Sequence, residues 1–161
     1  MFAAMAVSRG VSTITGQNLG AKNFERAEKV NYVGAKYLFA VFTLVGLIFF
    51  ITPQLFISVF SPDMEVVSYG SEFLRYTALS IGFIGVMRSF SGGFRGSGKT
   101  LVAAALSILT FVIIRVPAAF VASRFIGPTG IWLAFPISNV LGAIVAYLWF
   151  RKGNWKQRVI E

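Results

Sequence analysis

The octet Gly93-Phe-Arg-Gly-Ser-Gly98-Lys99-Thr100 satisfies the pattern G-x-x-x-x-G-K-[ST]. In a phosphate loop that pattern joins a buried strand to a helix. Its backbone N–H groups cradle phosphates, and its lysine and hydroxyl serve phosphate and Mg²⁺. The preceding residues here, Tyr76–Gly92, read as a long helix with small residues. The aspartate available for Mg²⁺, Asp63, follows Pro62 rather than an apolar strand. The octet therefore reads as a glycine-rich turn between two helices, with Arg95 and Lys99 facing anionic headgroups, and no nucleotide is expected as a ligand.

Other chemistry is sparse. The chain has no Cys and no His, which removes thiol catalysis, disulfides and imidazole chemistry. Six carboxylates leave little for a metal site, so neither an enzyme nor a metal or organic cofactor is expected. What remains is arginine in apolar surroundings: Arg9, Arg88 and Arg115. Ionisable residues at membrane depth usually face a protein interior or an aqueous cavity and are paired. No carboxylate lies at matching depth, since Glu25, Glu28, Asp63 and Glu65 fall in loops, Glu72 near a helix end and Glu161 in the tail. Either other parts of the protein or an anionic substrate or lipid supplies the partners, and Arg115 is equally readable as functional or as structural. Polarity and depth together pick out Gln17, Thr77, Ser80, Arg115 and Asn139 as candidates for a substrate pathway. For Gln17 and Asn139, hydrogen bonding between helices is the competing role.

The elements that carry these residues follow from composition. Of 161 residues 56% are apolar and 13% charged, about half the charge of a soluble domain. A bilayer-crossing helix needs about 20 apolar residues. Tyr37–Pro62 and Phe125–Phe150 are free of charge, while Tyr76–Phe94 and Thr100–Ser123 are interrupted only by Arg88 and Arg115. The expected fold is all-α, a polytopic membrane helix bundle forming a single membrane domain. Four complete spans cover roughly 30–51, 70–94, 100–123 and 130–150. Residues 1–19 read as the end of a fifth span rather than a signal peptide, because the apolar residues precede the positive charge.

Pro53 disfavours helix at Thr52 and ends the first long span near Ile51. Gly127-Pro128 and Gly130 mark a tight turn. Pro117 is tolerated within a span and loosens the helix beside Arg115. Gly16, Gly20, Gly93, Gly96 and Gly98 are read as turn or packing positions, with Ser89 and Gly92, and likewise Gly142, Ala143 and Ala146, allowing close helix approach.

The net charge of +9 would suggest nucleic acid on a hydrophilic chain. On this one it means cations flanking spans, and no nucleic-acid partner is expected. Lys22, Arg26, Lys29 and Lys36 precede the first full span, Arg95 and Lys99 lie between the second and third, and residues 151–161 form a basic tail. The intervening loops are poor in cations. This alternation places the basic loops and the C-terminus in the cytoplasm.

Several segments, taken in order, resemble the multidrug and toxic compound extrusion (MATE) family. They are VSTITGQNLGA (Val11–Ala21), PQLFISVFSPDMEVVSYGSEFLRYTALS (53–80), GFRGSGKT (93–100), Arg115-Val-Pro117, GPTGIWLA (127–134) and FRKGNW (150–155). The resemblance covers almost the whole chain. It implies the last part of the second of two six-helix lobes in a bacterial inner-membrane antiporter that exports drug-like, often cationic compounds in exchange for Na⁺ or H⁺. The expected partners are then the bilayer, small organic substrates and a first lobe absent from this sequence. Some members carry an ion-coupling aspartate where this chain has Ile84, so the coupling-ion site is expected elsewhere. The competing expectations are a lipid-linked saccharide flippase of the same superfamily, whose pyrophosphate substrate the unpaired arginines would suit, and a small membrane scaffold complete from Met1.

Overall fold

A computed structural model describes residues 2–156, with side chains from Ala4 onward. The described residues are helical and contain no strand. In chain order they form α1 (Phe2–Gly20), α2 (Phe24–Ile51), α3 (Pro53–Ser58), α4 (Met64–Ala78), α5 (Ile81–Gly96), α6 (Thr100–Ile108), a π-helical segment (Leu109–Ile114), α7 (Arg115–Ile126) and α8 (Pro128–Arg151). A 3₁₀ turn at Asn154–Lys156 follows. The remainder of the basic tail, 157–161, lies outside the described residues.

Local chemistry sets these boundaries. The Asn23 side chain accepts the Arg26 N–H at 3.1 Å and starts α2, and Asp63 accepts the Glu65 N–H at 2.8 Å to start α4. Helix α2 stops at Ile51, and Pro53 opens α3 at a position where its missing N–H costs nothing. Helix α5 closes with the Lys99 N–H on the Phe94 carbonyl (2.8 Å) and the Gly98 N–H on the Arg95 carbonyl (3.0 Å), with Gly98 at φ +81°. That is a Schellman cap, which needs a left-handed residue where Gly98 stands. The phosphate-loop pattern is thus the end of a helix: Gly93–Gly96 are helical and only 97–99 turn.

Among the described residues three helical stretches are long and apolar enough to cross a membrane: α2, the continuous Thr100–Ile126 and α8. The expected helix over 70–94 is instead two helices, α4 and α5, interrupted at Leu79–Ser80. The sequence there has no proline or glycine at the break, and Arg75 in the last turn of α4 is the one local sign of a helix end. The span expected over 100–123 is also irregular. Its middle widens into the π-helical segment just before Arg115, and Pro117 at the third position of α7 removes the N–H that would bond the Ile113 carbonyl.

Helix α5 is the centre of the bundle. It packs against α1, α2 and α8 and buries nine residues, among them Phe90 and Phe94. Backbones come unusually close there. A methyl on Gly92 would sit 2.5 Å from the Ser8 carbonyl oxygen, and one on Gly16 would sit 3.1 Å from that of Gly96. Leu38, Leu106, Phe150 and Trp155 complete the core, with the Trp155 ring stacked on Phe150 at 4.4 Å. The outside is the reverse of a soluble surface: Leu101 is 84% and Phe125 83% exposed, with many large apolar side chains around them. Such a contiguous apolar exterior is satisfied by hydrocarbon, not by water.

Candidate functional site

The break between α4 and α5 sits against α8, where a connected set of polar side chains reaches on to Arg115. Arg115, at the junction of the π-helical segment and α7, donates from Nε to Ser138 Oγ at 2.9 Å and from Nη2 to Asn139 Oδ1 at 2.7 Å. Asn139 passes the connection on, donating from Nδ2 to Ser80 Oγ at 2.9 Å. Ser80 Oγ donates to the Thr77 carbonyl at 2.9 Å, and Ser138 Oγ to the Phe135 carbonyl at 3.0 Å. The guanidinium also lies over two rings, 4.8 Å from the Phe111 centroid and 4.4 Å from that of Phe135. Ser80, Ser138 and Asn139 are buried and Arg115 is half-buried.

Its partners are uncharged. The arginine is held by two side-chain oxygens and two aromatic faces, which satisfy several of its five N–H donors without neutralising it. Ser80 terminates the chain at the point where the α4–α5 path loses regular helix, so a guanidinium on one hairpin is tied to the break on the other. A residue so placed can transmit a shift of α7 or α8 to the joint between α4 and α5.

Of the five pathway candidates, four meet here. Ser80, Asn139 and Arg115 join through side chains. Thr77 contributes its carbonyl, its hydroxyl donating back along α4 to Phe73 O at 2.9 Å. Gln17 is not brought in. It is exposed on α1 beside Gly16, which meets Gly96, whereas Ser80 precedes the other end of α5. A helix the length of α5 separates them, about 24 Å. Ser138 belongs to the chain and is not one of the five candidates. It lies beside Asn139, and an isolated serine in an apolar span carries no signal until its neighbours across the bundle are known.

Among the turn and packing positions, Gly16, Gly93 and Gly96 lie in helix contacts around α1, α2, α5 and α8, and Gly98 makes the Schellman cap. Gly20 ends α1 and is exposed.

A second group of polar residues occupies the other side of α5. Arg9 from α1 joins Arg88 and Arg95 from α5 around one opening with Ser8, Ser12 and Thr13. Arg95 Nη2 donates to Ser8 Oγ at 2.8 Å, and Ser8 Oγ donates to the Arg88 carbonyl at 2.6 Å. Lys99 Nζ donates to the Asn154 carbonyl. Both cations expected at anionic headgroups, Arg95 and Lys99, therefore bond within the protein. The three arginines singled out by depth divide differently from their order in sequence: Arg9 and Arg88 share this opening, and Arg115 stands apart. The signal available in sequence was the seven-residue spacing of Arg88 and Arg95, two turns on one helix face.

Comparison with known proteins fits this architecture. The sequence model of the MatE family matches residues 1–121. The probable multidrug resistance protein YpnP of Bacillus subtilis is 27% identical over 153 residues, covering 95% of this chain and 34% of that protein. The probable multidrug resistance protein NorM of Thermotoga maritima is 26% identical over 161 residues, covering 98% of this chain and 34% of that protein. The chain thus spans about a third of the length of the curated relatives it matches. In three dimensions a mutant of the Vibrio cholerae MATE transporter VcmN superposes with a TM-score of 0.89 at 19% identity, over 96% of this chain and 36% of that one.

Proposed function

The chain belongs to the MatE family of multi-pass membrane transporters, and from that premise we propose that it works as part of a secondary active multidrug exporter. Its helices form the last part of the second lobe, and drug-like, often cationic compounds leave the cell in exchange for Na⁺ or H⁺. The observation that carries the reading is the match of nearly the whole chain to proteins named for multidrug resistance, on a bundle with a lipid-compatible exterior. The Arg115–Asn139–Ser80 chain supplies a mechanical part. Alternating access rocks one lobe against another, and the interrupted α4–α5 path is a joint that α8 holds through Asn139, itself bonded by Arg115. Ion coupling falls to a carboxylate elsewhere, because none lies in this chain of contacts.

The test is ethidium accumulation in cells lacking other exporters. Cells expressing the full-length gene that carries this region should stay dark, and Asn139→Leu should raise accumulation toward that of cells without it. Unchanged efflux after removal of the whole 1–161 region would end the transport assignment.

The distribution of lysine and arginine supports an inner-membrane topology with the C-terminus in the cytoplasm. Because the chain has no cysteine, Thr129→Cys and Lys152→Cys report topology without background. A membrane-impermeant maleimide applied to spheroplasts should label the first and spare the second, and the opposite pattern would invert the topology.

A further inference from the structure

The opening lined by Arg9, Arg88 and Arg95 has a volume of about 480 Å³ and no carboxylate in its lining. Among the described residues the salt bridge is Lys156–Glu28, at 2.7 Å and remote from it in sequence and contacts. Of the three guanidiniums, Arg95 has a side-chain partner in the neutral Ser8 hydroxyl. Arg9 and Arg95 are exposed and Arg88 is half-buried; three like charges around one opening repel, and an anion entering it relieves that repulsion. The hydroxyls of Ser12 and Thr13 add donors of the kind that complete an oxyanion shell.

Arg88 also lines a second, apolar pocket of about 420 Å³, whose walls include Phe42, Val45, Phe49 and Ile84. One guanidinium therefore stands at the boundary between a cationic chamber and a hydrocarbon-lined one. Basic pockets between membrane helices bind phosphate headgroups, and arginine forks match phosphate oxygens in pairs.

We propose that these two pockets together bind an anionic amphiphile, with its phosphate on Arg9, Arg88 and Arg95 and its hydrocarbon against Phe42, Val45 and Phe49. The site is separate from the Arg115 chain and needs only that the protein sits in a bilayer, so it survives a failure of the efflux assignment. The phosphate comes either from a membrane phospholipid or from a soluble alkyl phosphate, and the chemistry at the arginines is the same.

Binding is read by native mass spectrometry of the full polypeptide in a neutral detergent, titrated separately with phosphatidylglycerol, phosphatidylcholine, decyl phosphate and inorganic phosphate. Phosphatidylglycerol or decyl phosphate should bind in preference to phosphatidylcholine, and inorganic phosphate should not displace either. Retention of phosphatidylglycerol alone identifies a lipid as the source, and retention of decyl phosphate alone identifies a soluble amphiphile. Arg88→Gln should weaken binding about tenfold or more, the loss of a charge-assisted bond, and Arg88→Lys should recover part of it. Melting of the unliganded variants confirms that they are folded. Equal binding of phosphatidylcholine, displacement by inorganic phosphate, or affinity unchanged in both Arg88→Gln and Arg9→Gln would overturn the proposal.

Discussion

Two arginine sites lie on different sides of this bundle, and they solve the same problem in different ways. Arg115 is embedded among uncharged partners: Ser138 and Asn139 take its N–H groups, and Phe111 and Phe135 face its plane. Arg9, Arg88 and Arg95 surround an open volume, with neutral Ser8 the side-chain partner seen for Arg95. A guanidinium whose donors are used by its own protein is part of the framework. Guanidiniums gathered around an opening whose described lining holds no carboxylate leave room for an anion, the role proposed for them above. The difference separates two roles that the phrase "buried arginine" merges: holding helices in register and holding a ligand.

The comparison is most exposed to failure at Asn139. Asn139→Leu removes the acceptor of Arg115 and the donor to Ser80 together, leaving a half-buried charge short of a partner. It should cost about 3 kcal/mol of stability in detergent, in the range for breaking a buried polar pair from one side. A loss below about 0.5 kcal/mol, the usual size of a surface change, would mean that the chain of contacts carries little. The double variant Arg115→Met/Asn139→Leu sharpens the point. With both ends apolar, about 2 kcal/mol of the loss should return, because replacing both partners avoids the unsatisfied group. Additive losses would show that the two side chains act independently.

Much of this molecule is legible in its sequence, and the illegible parts share one cause. Uncharged stretches such as Tyr37–Pro62 disclose helices dissolved in lipid because the bilayer imposes length and composition on every span. The family emerges from short segments in order, VSTITGQNLGA through FRKGNW, and the match over residues 1–121 shows it. Thr77, Ser80, Arg115 and Asn139 stand out by polarity because polar groups are rare at that depth, and the fold brings them together.

What the sequence hides is set by tertiary contact. Ser80, at the interruption, is bonded by Asn139, fifty-nine positions away, a partner to which no local pattern points. The company kept by Arg9 depends on how closely α1 lies on α5, which Gly92 and Gly96 permit and no local pattern announces. The Gly93–Thr100 octet shows the converse hazard, a motif satisfied in letters whose glycines serve helix packing and a helix cap.

The most direct test of the contrast is a side-by-side melt of Arg115→Met and Arg88→Met in the same neutral detergent without added anionic lipid. Arg115→Met should lose about 2 kcal/mol, since Ser138 and Asn139 are left with unmet polar atoms. Arg88→Met should be unchanged or slightly stabilised, because it removes one of three mutually repelling charges and abandons no side-chain partner among the described residues. The reverse order, with Arg88→Met the damaged variant and Arg115→Met unaffected, would contradict the assignment of one arginine to the framework and the other to a ligand.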